Sequence, residues 1–471
     1  MFHKKHFWQQ AGQDGPHHDP NHAGFCLRNL ETSLYQAMHL HRGYSSSEES
    51  APQSRRVRVV DPLEDVQFRK LLGLSDTVRA ALFQGRTLTL LDLEELAFVL
   101  DMMLVDEIND KTPSKAPATI QASQKITLST IQTTRLDKLL ADIIYVYEIE
   151  SSSARPPIAE VGLGSEIVKV QSLQKYWRAR FKSEYFALDQ YRLEELFSNA
   201  LREVSFSAIA SDGLGIWSPK EPIAHQLSEA EVTLHYTPGT WWLNIGCAHR
   251  DGIVGAAFER PTKGRYGIAA LPLLTGSEET LPDGKIEYCR LGTQHDMHYS
   301  LVSQVGQKMK VLRGFRLKSM YAPAAGLRYD GLYVLKSWSL KLDQASDMYS
   351  MRLILERVPG QTPMDEILHI PRPSQLDDWG LYEKLEIERI KQTEGDAGLT
   401  EWIIRRDEER IERGHWRRSR AFKSEMKLNS LRAPETGAGG VREFYRRRIS
   451  DIDTDLVPYS EDPEGEEEEK D

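Results

Sequence analysis

Cysteine is scarce: 471 residues contain three, Cys26, Cys247 and Cys289. Three scattered thiols make no disulfide framework, which points to a reducing compartment. No run approaches the eighteen or so apolar residues that span a bilayer, and the first residues lack the apolar core of a secretory signal. A glycine-rich phosphate loop and a Gly-x-Ser-x-Gly elbow are also missing. These absences set the expectation of a chain of the cytoplasm or nucleus, without membrane contact, cofactor, metal or catalytic module.

The net charge is −10, from 60 Lys and Arg against 70 Asp and Glu. Its distribution is uneven. Glu464–Asp471 is an acidic block, whereas the stretch from Arg405 to Arg448 is rich in arginine. Binding of a polyanion depends on such placement more than on the sum.

Composition divides the chain into six parts. Residues 1–60 are dominated by His, Gln, Gly and Ser and read as disordered. Their histidines (His3, His6, His17, His18, His22, His39 and His41) read as polar low complexity rather than as a metal site. Residues 61–150 form a helical region. Leu88, Leu90, Leu91, Leu93, Leu96, Val99, Leu100 and Leu104 predict one helix, and Leu136, Leu139, Leu140, Ile143 and Ile144 a second. Residues 151–204 read as a linker followed by a long amphipathic helix, or two in tandem. There Val170, Leu173, Trp177 and Phe181 recur at three- and four-residue steps among Lys175, Arg178, Arg180 and Lys182. That mixture occurs in nucleic-acid contacts, but aromatics at helical spacing are more often core, and the core reading is preferred. Residues 205–372 are β-rich, with short strand-like runs between turn signals. A charged helical segment over 373–430 and a disordered acidic tail over 431–471 complete the chain. Tyr445-Arg-Arg-Arg448 is the best nuclear-import candidate.

The most informative stretch is Tyr321-Ala-Pro-Ala-Ala-Gly-Leu-Arg-Tyr-Asp-Gly-Leu-Tyr333. Pro323 and Gly326 predict a turn, and Asp330-Gly331 a second, tight one, with Asp330 accepting from backbone amides. A strand follows, Leu332 and Val334 on one face and Tyr333 and Leu335 on the other. Met351–Arg357 is a matching strand, stopped by Val358-Pro-Gly360.

These residues resemble the SRA–YDG (SET- and RING-associated) family. Tyr329, Asp330 and Gly331 supply the namesake motif, Tyr321-Ala-Pro-Ala-Ala-Gly326 precedes it, and Leu355–Pro363 is similar to the family's closing segment. Upstream, Lys310-Val-Leu-Arg-Gly314 and His249–Gly255 fit two further family motifs. The resemblance implies an α+β fold: a twisted, partly closed β-barrel of the PUA-like kind with flanking helices, here preceded by the helical region and bounded by disordered termini. It also implies a basic face that grips duplex DNA and a pocket that takes a flipped, modified cytosine.

On that resemblance, the base-pocket candidates are Ser277, Glu278, Glu279, Tyr288 and Cys289. The segment is degenerate. Ser277 stands where a stacking tyrosine belongs, Glu279 or Thr280 where a base-reading aspartate does, and Gly292–Met309 is shorter than the family's finger-loop region. Candidate phosphate contacts are Lys263, Arg265, Lys308, Lys310, Arg313, Arg316, Lys318 and Arg328. Eight paired Cys/His ligands for a RING are not available from three lone cysteines. His295 and His298 are the nearest approach to a nuclease pair. The expectation is a nuclear DNA- and chromatin-binding protein that reads methylated or otherwise modified duplex and recruits chromatin proteins through its helical region and acidic tail. The alternatives are a protein–protein module on the same fold and a metal-dependent nuclease.

Overall fold

The structure is a computed structural model that describes residues 62–84, 88–109, 126–151, 163–208, 215–221, 236–264, 266–343 and 347–431. The expectations for 1–60, the histidine cluster, the acidic tail and Tyr445–Arg448 lie outside the described residues, as does Arg265.

The first part is helical. Helices α1 (Pro62–Gln84), α2 (Leu90–Asn109), α3 (Leu128–Thr134) and α4 (Leu136–Ser151) precede α5 (Ile167–Phe181), α6 (Ser183–Phe186) and α7 (Leu188–Ser198). Thr127 caps α3 by accepting the Thr130 amide at 3.1 Å. Of the two expectations for 166–204, one long helix or two in tandem, the structure has helices in tandem, separated at Lys182, whose φ of 48° no α-helix accommodates. Its residues share one core with the earlier helices: Val78, Leu96, Leu100, Ile131, Leu140 and Ile143 meet Val170, Leu173 and Trp177. Each such aliphatic side chain removed from water contributes about 1.5–3 kcal/mol. Trp177 is fully buried, and Arg180 ion-pairs with Glu107.

The second part is β-rich. A hairpin of β1 (Val204–Ala208) and β2 (Gly215–Pro219) stands apart from an eight-stranded sheet. The sheet comprises β3 (Trp241–Trp242), β4 (Thr262–Gly264), β5 (Gly267–Leu273), β6 (Ser277–Thr280), β7 (Ile286–Gly292), β8 (Lys308–Gly314), β9 (Leu327–Asp343) and β10 (Met348–Arg357). Its order is β4-β5-β8-β9-β10-β7-β6, with β3 on β9. Among the described strands, β5 and β8 are the one parallel pair. Alternation sends Met309, Val311, Tyr333, Leu335, Met351, Leu353 and Leu355 into one core.

Helix α8 (Ile245–Arg250), launched by an Asn244 cap, connects β3 to β4. The mixed α+β architecture follows the expectation, but the sheet is not a closed barrel. The terminal strands β4 and β6 span three and four residues and do not pair with each other. Lys318 occupies the free edge of β6, its carbonyl accepting the Glu278 amide and its amide donating to Gly276. That leaves β6 no edge with which to close.

Short α9 (Met364–Leu368) leads to α10 (Pro373–Leu431), which is interrupted at Gly395 (φ 71°, ψ −168°). Arg406 pairs back to Glu383 and Glu386, 23 and 20 residues earlier. In a straight helix those groups would be about 30 Å apart, so the interruption folds 373–394 and 396–417 into a hairpin. The first arm is tied to the helical part: Arg79 donates to both carboxylate oxygens of Asp377 at 2.8 and 3.0 Å, and Asp76 accepts the Ser374 amide. Phe315 and Trp379 join the hairpin to the sheet, ring centroids 4.9 Å apart.

Candidate nucleic-acid interface

The YDG residues lie within strand β9. Tyr329 faces Leu312 and Gly331 faces Val311 on β8, so Asp330 is the additional residue of a β-bulge. The expected tight turn at Asp330-Gly331 is therefore corrected: the strand continues through it, and the bulge turns Asp330 inward. Gly331 has φ 109°, a region L side chains rarely adopt.

Asp330 accepts from two arginines rather than from backbone amides. Arg313 Nη1 donates to Oδ2 at 2.8 Å, and Arg328 Nε donates to Oδ1 at 2.6 Å. Arg313 also donates to Glu278 through Nε (2.7 Å) and to the Tyr333 hydroxyl (3.1 Å). Arg328 continues to the carbonyls of Tyr321 and Ile370, and Ser319 donates to Glu278. All four charged side chains are essentially unexposed. Burial by itself would favour loss of the Arg313 proton, but Glu278, Tyr333 and Asp330 outweigh it and raise the pKa well above the usual value. Arg313 and Arg328 are thus removed from the set of phosphate contacts. They neutralise two buried carboxylates and are out of reach of a ligand. Glu278 is likewise a partner of Arg313 and not a base reader.

The remaining pocket candidates sit on the β6–β7 ladder, where Ser277 faces Cys289 and Glu278 faces Tyr288. Alternation separates them. Tyr288 points into the core and is 1% exposed, so its ring offers no stacking surface. Its hydroxyl donates to the Thr275 carbonyl at 3.2 Å. Burial, then Glu259, pushes its pKa well up. Ser277, Cys289 and exposed Glu279 fall on the outer face of the sheet. Glu259, which the sequence reading did not single out, holds the 274–275 turn by accepting both amides at 2.7 and 3.1 Å.

His298 lies 3.5 Å from Arg290. Burial and that guanidinium lower its pKa to about 4, leaving a neutral ring at pH 7. The His295 side chain is outside the described residues. No group of three or more His, Cys, Asp or Glu is placed to hold a metal ion among the described residues.

The other cations divide by location. Arg316 and Lys318, on the loop after β8, pair with Glu409 and Glu412 of the second hairpin arm, Lys318 to Glu412 at 2.6 Å. The Glu409 carboxylate lies four residues from Arg405 and Arg413 in sequence but reaches the loop. Lys308 and Lys310 lie opposite Val334 and Leu332, on the outer face. Lys336 joins them, 2.5 Å from Glu356. Lys341 and Arg352 continue the row, opposite Ser350 and Ser339 respectively. Lys263 is exposed on edge strand β4. Lys336, Lys341 and Arg352 were missed in the sequence: a second bulge, at Lys336, shifts the alternation of β9 and brings Lys341 to the face of Lys336.

In this mixed sheet the YDG strand is locked to the closing Leu355–Pro363 segment, so the two stretches that carry the resemblance to the SRA–YDG family meet. No family model matches the chain. A UHRF1-like protein of Cryptococcus neoformans var. grubii is 39% identical over 59 residues, 12% of this chain and 17% of that protein. The chain thus matches about a sixth of that relative's length. Among solved structures, an SRA domain of SUVH5 in complex with hemi-methylated CG DNA overlaps 28% of this chain and 94% of its own, at 16% identity and a TM-score of 0.23. Arabidopsis thaliana SUVH6 in complex with SAM overlaps 29% of this chain and 30% of its own, and the modification-dependent restriction endonuclease TagI 30% and 55%, both at 16% identity and 0.23.

Proposed function

We propose that the β-rich part binds duplex DNA through the outer face of its sheet, by phosphate contact and with little preference for modified bases. The observation that carries this is the row of Lys308, Lys310, Lys336, Lys341 and Arg352 across β8, β9 and β10. The SRA–YDG resemblance supplies the ligand class. Four or five phosphate contacts give a salt slope of about −4 in log K against log salt. With the Tyr288 ring in the core and a serine at position 277, nothing repays the few kcal/mol of extruding a base. No catalytic step is proposed. A nuclear location and chromatin partners complete this reading, supported by the Tyr445–Arg448 run.

Fluorescence anisotropy with plain, hemimethylated, fully methylated and hydroxymethylated CpG duplexes at two salt concentrations tests it. Expected are comparable affinities, within about tenfold or 1.4 kcal/mol, all weakened alike by Lys308→Glu with Lys310→Glu. A hundredfold preference for one modified duplex would overturn the pocket reading. No binding by any duplex would overturn DNA as ligand. It would favour a protein–protein module, a reading supported by the acidic contacts over Arg316 and Lys318.

A further inference from the structure

Helix α2 has two apolar faces. One, with Leu96, Leu100 and Met103, is buried in the helical core. The other carries Leu91, Phe98, Met102 and Val105, which are 72%, 63%, 52% and 53% exposed. At 100° per residue these four fall within about 60° of one another, a continuous stripe along the helix. Isolated exposed apolar residues are ordinary, but a contiguous row of large ones marks a contact surface.

Charge specifies the occupant. Glu94 and Asp101 border the stripe on one side, where Lys169 of α5 pairs with Asp101 at 2.7 Å, and Glu95 and Asp106 border it on the other; the helix itself contains no Lys or Arg. We propose that this face is a docking site for a basic amphipathic helix of a partner protein, its apolar anchors on the stripe and its Lys or Arg against the two acidic borders. A second copy of this chain would bring acid against acid on both borders. An anionic membrane surface would be repelled in the same way, since interfacial helices carry Lys and Arg on their polar flanks. The site is independent of the sheet face proposed for DNA.

The test uses the full chain and a fluorescein-labelled peptide of about eighteen residues, five helical turns. The peptide carries leucine and phenylalanine at three- and four-residue steps and lysine beside them. One control replaces its apolar residues by serine, another its lysines by glutamate. Both controls are expected to bind at least tenfold more weakly, as is the parent peptide to the Phe98→Glu, Met102→Glu variant. Circular dichroism checks that this variant folds, and Leu91→Ser with Val105→Ser gives a milder one. Equal binding of the serine control, or unchanged binding to either folded variant, overturns the proposal. So does a dimer in sedimentation that Phe98→Glu dissociates, or capture of the chain by phosphatidylserine vesicles. Duplex titration of the same variants should be unaffected, so failure here and failure of the DNA reading are distinguishable.

Discussion

Gln361 acts as a substitute strand for Leu332: its Oε1 accepts the Leu332 amide at 2.7 Å, and its Nε2 donates to the Leu332 carbonyl at 2.9 Å. The two sequence motifs that carry the family resemblance therefore touch. Arg357 adds a bond to the Asp330 carbonyl, so the closing segment satisfies backbone groups beside the bulge.

The same contact makes Gly331 irreplaceable. A Cβ there would lie 2.5 Å from Gln361 Oε1, at a φ of 109°. Gly331→Ala should destabilise by about 2–4 kcal/mol, from backbone strain and the loss of both Gln361 bonds. Gln361→Ala should cost about 1–3 kcal/mol. Urea titration of both variants measures this; a Gly331→Ala protein as stable as wild type would contradict the bulge geometry.

Asp330 is placed to cost more than a turn cap. Asp330→Ala leaves Arg313 and Arg328 buried against a single carboxylate, Glu278. Breaking a buried pair from one side costs about 3–5 kcal/mol, against about 1 kcal/mol for a lost cap. Denaturant midpoints decide between the two. A loss below about 1 kcal/mol would mean that the network does not exist as described.

Glu409 and Glu412 compete for two cations that lie outside the buried network. Exposed ion pairs are worth about 0–1 kcal/mol each, so DNA could displace them at small cost. Glu409→Gln with Glu412→Gln should strengthen duplex binding severalfold and steepen the salt slope by up to about 1.8, or 0.9 for each phosphate gained. Anisotropy at several salt concentrations reads both. An unchanged slope would show that Arg316 and Lys318 do not reach phosphate.

Much of the sheet was legible because period two is a local signal. The faces of Leu332–Leu335 and the pairing of β9 with Met351–Arg357 follow from alternation and turn residues. The bulge was not legible, since one extra residue shows itself only in cross-strand register, which the partner strand fixes. Arg313 shows how a local signal loses to a prior. Counting by twos from buried Met309 and Val311 places it inward, yet arginine is rarely buried without a partner. Its partners come from β6 and β9, 35 and 17 residues away. The outer lysines were visible only in part, because position 336 acquires meaning once β8 is known to lie beside β9. Lys182 was illegible for a different reason: nothing in its side chain favours a positive φ.

The bond between Arg79 and Asp377 has a consequence for the order of events during synthesis. The two residues are 298 positions apart, and Arg79 is 2% exposed once folded. Until Asp377 leaves the ribosome, the helical part holds this guanidinium with Asp142 alone, beside the empty position of the α10 arm. The N-terminal helices can collapse early, but Arg79 gains its second carboxylate, and Arg135 its partner Asp378, only after the whole sheet has emerged. The nascent chain therefore passes through an incomplete N-terminal fold, open to proteases and chaperones, for as long as translation of the intervening residues takes.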